Sequence, residues 1–266
     1  MMRTVEWVVV AYLTYVGLLA WVWPIRQRAR TLVTAVAVAD ATLVLWLAGR
    51  TSPDALVTRD WLPAGHILIG YWLSGTFFTR PMPRAEAWLA ASDRWWFETV
   101  GLAWFAARAP RGILEFLELA YTSAYVMIPL GFAIADRFGT AVDGDRYWTA
   151  VVSATLACYA MLPWVRARTP GELRVDAAIE RRRVTWRRVN RTIQVHGSVR
   201  VATIPSGHAA GAMATALMAG ALVPAALAPL LVLALAIALG SVVGRYHYAV
   251  DALMGLAVGV AAVVVS

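Results

Sequence analysis

Four histidines occur in the chain: His66, His196, His208 and His247. Two of them stand in polar, glycine-bearing stretches, Pro205-Ser206-Gly207-His208 and Gly244-Arg245-Tyr246-His247-Tyr248-Ala249-Val250-Asp251. Imidazole can add to an electrophile or carry a proton near neutral pH, so these stretches are where acid–base or nucleophilic chemistry is to be sought. Ser206, Gly207 and His208 open an apolar run. A helix starting there leaves unpaired backbone N–H groups and the positive end of its dipole facing outward, and Gly207 lets backbone approach an oxygen closely. Such a start is a phosphate cradle. Asp251 follows His247 by four residues and can accept from one ring nitrogen, which fixes the tautomer and leaves the other nitrogen as a nucleophile. His208 can then protonate the leaving oxygen. A single histidine at a helix end is ordinarily bonded to a carbonyl; two at one face, one of them followed by a carboxylate, favour chemistry.

The elements that must position these residues follow from solvent. With 60% hydrophobic residues, 15% charged residues and a mean hydropathy of +0.62 over 266 residues, too little polar surface exists to coat a soluble globule. Disorder, collagen and a disulfide scaffold are excluded, and the lone Cys158 lies inside an apolar run. The expected fold class is all-α, a polytopic transmembrane helical bundle of about eight spans. These are Thr4–Trp23, Thr31–Ala48, His66–Phe78, Ile113–Ala135, Tyr147–Trp164, Ser206–Val223, Pro224–Val243 and Val250–Val265. The chain turns near Pro224 between the sixth and seventh spans, so the hairpin returns His247 to the membrane face on which His208 lies. Residues 1–62 are expected to form an N-terminal transmembrane hairpin and residues 63–266 the membrane core that holds both histidine stretches.

Between the third and fourth spans, Pro81 to Arg111 mixes Trp88, Trp95, Trp96 and Trp104 with Arg84, Glu86, Asp93, Arg94 and Glu98. Indoles prefer the headgroup zone and buried charges are costly, so this stretch reads as an interfacial helix or as a loop packed on the bundle. All 24 basic residues are arginine, and the formal net charge is +8. Guanidinium binds phosphate oxygens in pairs, which suits phosphate or lipid headgroups. The stretch Val165 to Ile204 holds ten arginines, among them Arg174, Arg181, Arg182, Arg183, Arg187, Arg188, Arg191 and Arg200, against Glu172, Asp176 and Glu180. It either draws anionic headgroups to the cradle or marks topology. Glu115 and Glu118, one turn apart at the start of the fourth span, either pair with loop arginines, the favoured reading, or bind an acceptor hydroxyl. Asp40 reads as an interhelical hydrogen-bonding group.

Pro205-Ser206-Gly207-His208, followed by His247 and Asp251, resembles the second and third motifs of the type 2 phosphatidic acid phosphatase superfamily. The resemblance implies a six-helix membrane core in the third to eighth spans and metal-independent phosphoryl transfer through a phosphohistidine. It further implies His247 as nucleophile, Asp251 as its orienting partner, His208 as general acid, and Ser206 and Gly207 as phosphate ligands. The first motif of that superfamily, Lys, six residues, then Arg-Pro, is half present in Arg168-Thr169-Pro170, with Met161 where the lysine would fall. Ser241 stands where the third motif has its arginine. Arg168 and Arg245 are therefore the candidate phosphate-binding arginines. Such relaxed motifs look more like the inositol-phosphoceramide-synthase-like branch. The specific letters cover roughly the C-terminal hundred residues.

The expected function is that of an integral-membrane lipid phosphatase or phosphotransferase, with a lipid phosphate as substrate and membrane lipids as partners. No metal, no cofactor and no nucleic acid enter this reading. A transporter or a catalytically inactive scaffold on the same fold is the alternative. The expected location is a bacterial plasma membrane. Both termini lie opposite the active-site face, which carries the more arginines and so points inward by the positive-inside rule. The resemblance implies an extracytoplasmic site, and that is the expectation adopted, because several of those arginines have a catalytic or interfacial reason to be there.

Overall fold

The computed structural model describes residues 1–173, 184–199 and 201–266. Among them are twelve α-helices, one π turn and no strand, with one isolated bridge between Ala167 and Ala202. The three N-terminal helices are α1 (Thr4–Val22), α2 (Gln27–Ala48) and α3 (Pro53–Gly75). Two short ones, α4 (Pro83–Arg94) and α5 (Leu102–Arg108), flank the π turn Trp95–Thr99. Then come α6 (Arg111–Phe138), α7 (Ala141–Ala160), the single turn α8 (Pro170–Leu173) and α9 (Thr185–Gly197). Last are α10 (Gly207–Leu222), α11 (Pro224–Val243) and α12 (Ala249–Val265). Arg174, Arg181, Arg182, Arg183, Arg200, Asp176 and Glu180 lie outside the described residues.

Four helices, α1, α2, α6 and α11, are long and apolar enough to cross a bilayer, as fits an integral membrane protein. Four more, α3, α7, α10 and α12, complete eight long helices that follow the eight apolar runs. The third starts at Pro53 rather than at His66, across Asp54, Arg59 and Asp60, charges that a hydropathy reading treats as a boundary. Partners neutralise two of these charges: Arg59 makes two hydrogen bonds to Glu6 (2.7 and 2.9 Å) and Arg3 pairs with Asp60 at 2.5 Å. A boundary after residue 62 thus falls within α3, and α1 packs against α7 as well as α2. The fifth run also begins early. Thr140 and Asp143 cap each other's backbone at the start of α7, which ends before Pro163, a residue unable to continue a helix.

Where an interfacial helix or a packed loop is expected, the chain forms α4, the π turn and α5, broken at Gly101, whose φ of 94° is open to glycine. Trp88, Trp95 and Trp104 are exposed along it. Asp40 is an interhelical partner: its Oδ2 lies 3.0 Å from Nδ1 of His66, and both residues are buried.

At the centre of the bundle α10 touches α6, α7, α11 and α12. Small residues permit the close approach. A Cβ on Gly255 would meet the Ser206 carbonyl at 2.4 Å, and one on Gly259 the Ala210 carbonyl at 2.5 Å, so the pair on α12 sets its distance from α10. Both termini sit at one end of the bundle, where the N-terminal amine donates to the Ala48 carbonyl and Arg146 to the Ser266 carbonyl. The starts of α6, α10 and α12 are at the other end.

Candidate active site

At that other end Ser206 caps α10. Its Oγ accepts from Ala209 N–H at 3.4 Å, and its own N–H donates to the Asp251 carbonyl at 3.1 Å, tying the start of α10 to the first turn of α12. Gly207 has a packing reason beside any phosphate-binding one, because a Cβ there would stand 2.5 Å from the Tyr159 ring. His208 follows on the first turn and is half-buried.

The second stretch is shaped by the end of α11. Arg245 adopts a left-handed φ of 66°, and the N–H groups of Tyr246 and His247 both donate to the Ser241 carbonyl, at 2.9 and 3.1 Å. This reversal turns the chain directly into α12, whose first turn is capped by Asp251 Oδ2 accepting from Tyr248 N–H at 3.1 Å. The other carboxylate oxygen, Oδ1, lies 3.1 Å from His247 Nδ1, an ion-pair contact, and among the described residues neither buried atom is in a hydrogen bond of good geometry. Asp251 is fully buried and His247 is 5% exposed. The imidazoles of His247 and His208 meet edge to face, with centroids 5.8 Å apart. The structure thus brings together five of the seven candidate residues: Ser206, Gly207, His208, His247 and Asp251.

Both histidines line one small cavity of about 20 Å³, room for about one water molecule. Its walls are aromatic. Tyr121 and Tyr125 of α6 contact the His208 ring at 5.1 and 5.4 Å, and Tyr246 stacks on Tyr121 at 4.6 Å. Helix α9 roofs it with Asn190, Ile193 and Gln194. Two carboxylates of α6 hold this roof. Glu115 accepts from the N–H groups of Thr185 and Trp186 at 2.7 and 3.0 Å, serving the free amides at the start of α9, and also pairs with Arg111. Glu118, 1% exposed, accepts from Arg187 at 2.6 Å, from Asn190 at 2.9 Å and from Tyr246 Oη at 2.7 Å. Burial and the adjacent Glu118 push the Tyr246 phenol up, so it stays a donor. Of the two uses open to this glutamate pair, the structure displays pairing with arginines. At its far end α9 is tied to α3, where Tyr71 Oη lies 2.9 Å from Ser198 Oγ and Trp72 donates to the Gly197 carbonyl.

Arg168 and Arg245 stand apart from the histidines. The Arg168 guanidinium grips Glu86 of α4 through two 2.9 Å hydrogen bonds, which hold that carboxyl below the usual carboxylate range. Arg168 is connected to the loop that carries His247 through its carbonyl, which accepts from Tyr248 Oη at 2.9 Å. The Arg245 guanidinium pairs with Asp93 and lies 4.3 Å over the Phe97 ring, in a different cavity. The carboxylates that engage both arginines sit two helical turns apart on α4, with the fully buried Leu89 between them. That inward face, Glu86, Leu89 and Asp93, is periodic in the sequence and is the signal from which the engagement of both arginines could have been read. Arg187 and Asn190 carried none beyond membership of a basic stretch. Among the described residues no three His, Cys, Asp or Glu converge as metal ligands.

Compared with known families, residues 180–266 match the PAP2 superfamily, a stretch that contains every candidate residue except Arg168. The match supports a phosphatase or phosphotransferase fold for that part of the chain. No curated protein and no solved structure matches the chain.

Proposed function

We propose that this chain, similar over its C-terminal third to the PAP2 superfamily, is an integral-membrane phosphatase or phosphotransferase that acts on a lipid phosphate through a phosphohistidine at His247. The observation that carries the reading is the His247–Asp251 contact of 3.1 Å beside His208 in one cavity. With Nδ1–H directed to the carboxylate, Nε2 of His247 keeps its lone pair. It attacks phosphorus; a P–N bond forms, the P–O bond to the leaving group breaks, and His208 gives that oxygen its proton. Water or an alcohol then attacks the phosphohistidine, returning a proton to His208 and releasing His247. Positive charge near the phosphate comes in this reading from Arg187, which shares Glu118 with the Tyr246 wall of the cavity. Arg168 and Arg245 contribute only by exchanging a carboxylate for phosphate. The cavity is small, so a phosphoryl group enters when α9 shifts.

Purified protein in detergent should release phosphate, or form a new phosphodiester when an alcohol is added, from at least one of phosphatidic acid, phosphatidylglycerol phosphate, a polyprenyl phosphate or an inositol lipid. Activity should persist in EDTA, and vanadate should inhibit by imitating the five-coordinate phosphorus. Loss in EDTA with rescue by magnesium would count against the mechanism.

The reading also puts the site on the extracytoplasmic face. On a Cys158→Ser background, Arg188→Cys on the exposed face of α9 should react with an impermeant maleimide in intact cells, and Ser266→Cys should not. The reverse pattern places the site in the cytoplasm.

A further inference from the structure

A second charged cavity does not belong to the histidine site. It measures about 300 Å³ and shares no lining residue with the histidine cavity. The loop that carries His247 is the partition: Tyr246 and His247 face one side, Arg245 and Tyr248 the other. On the far side Asp93, Arg94, Phe97 and Glu98, from α4 and the π turn, complete the wall. Among the described residues two carboxylates and two guanidiniums thus meet in one space without net charge.

The four charges are not equivalent. Asp93 and Arg245 pair with each other at the buried base, and Asp93 also accepts from Ala249 N–H. Arg94 and Glu98 stand at the exposed rim, four residues apart, and neither makes an ion pair or side-chain hydrogen bond with any described residue. A guanidinium and a carboxylate that flank a cavity without closing on each other suit a ligand with both an anionic and a cationic group. A lone anion would meet two carboxylates, and a lone cation two guanidiniums. Exposed Trp88, Trp95 and Trp104 on the same segment put the rim at headgroup depth.

We propose that this cavity binds the headgroup of a zwitterionic phospholipid, its phosphate on Arg94 and its ammonium on Glu98, as a site separate from the catalytic one. The bound headgroup rests against the Arg245–Asp93 pair, on the back of the loop that carries His247. The proposal does not depend on the phosphohistidine reading, because it is tested by binding alone.

The test uses the full chain in detergent with short-chain phosphatidylethanolamine or phosphatidylglycerol as probe, scored by native mass spectrometry. Wild type should retain one phosphatidylethanolamine in preference to phosphatidylglycerol. Arg94→Gln and Glu98→Gln should each weaken that retention by about tenfold, the loss of one charge-assisted contact. Glu98→Asp should restore part of it, and Glu98→Gln should leave phosphatidylglycerol retention undiminished. Gel-filtration profiles identical to wild type would establish that both variants fold. Equal retention of the two lipids, or retention of phosphatidylethanolamine unchanged in both folded variants, overturns the proposal; the second outcome would assign the lipid to another site.

Discussion

Replacing His247 by alanine is expected to bring turnover on the preferred lipid phosphate to background, with His208→Ala costing about 10²–10⁴-fold. Asp251→Asn is the sharper probe. Asp251 has two tasks, accepting from Tyr248 N–H at the start of α12 and facing His247 Nδ1. An asparagine can keep the first through its carbonyl oxygen while presenting an N–H to the imidazole, which inverts the tautomer. The expected loss is about 10⁴-fold, as for the buried aspartate of a serine-protease triad, with thermal unfolding in detergent close to wild type. Because the three groups act as one unit, a His208→Ala/His247→Ala double variant should be little worse than His247→Ala alone. Initial rates on purified variants check this, and a His247→Ala protein with near-wild-type turnover would refute the phosphohistidine.

The largest effect on stability is expected at Glu118. Its truncation to alanine leaves Arg187, 4% exposed, without this carboxylate and removes the carboxylate acceptor of Tyr246 and of Asn190, which keeps only the backbone carbonyl of residue 118. Breaking one side of a buried ion pair costs about 3–5 kcal/mol. Glu118→Gln keeps oxygen and amide in place and should cost less. Replacing both partners, as in Glu118→Leu with Arg187→Met, should recover much of the stability, since no charge is then left buried. Turnover should not return with it, because in the proposed mechanism Arg187 supplies charge to the phosphate. Unfolding curves in detergent, read beside initial rates, separate the two effects. An alanine variant as stable as wild type would mean that Glu118 does not hold α9.

Much of this molecule is legible in the amino-acid sequence, for a physical reason. In lipid a helix satisfies its own backbone, so each long apolar run specifies its element without reference to the rest of the chain, as in α1, α2, α6 and α11. The Pro205-Ser206-Gly207-His208 and His247–Asp251 stretches are likewise legible because their internal geometry is local: a cap, a tight reversal and a four-residue spacing. The chain order of three helices then suffices to return both imidazoles to one face.

Tertiary structure alone decided what depends on distant partners. The start of α3 at Pro53 rests on Arg59 finding Glu6, a pairing 53 residues apart. Arg168 and Arg245 look like free phosphate ligands in the sequence, yet carboxylates 82 and 152 residues away engage them. The basic stretch after α7 discloses nothing of α9 as a roof, because α9 is held by Glu115 and Glu118 from another helix. An arginine's charge is written in its own letter; which carboxylate neutralises it depends on where the fold brings other helices.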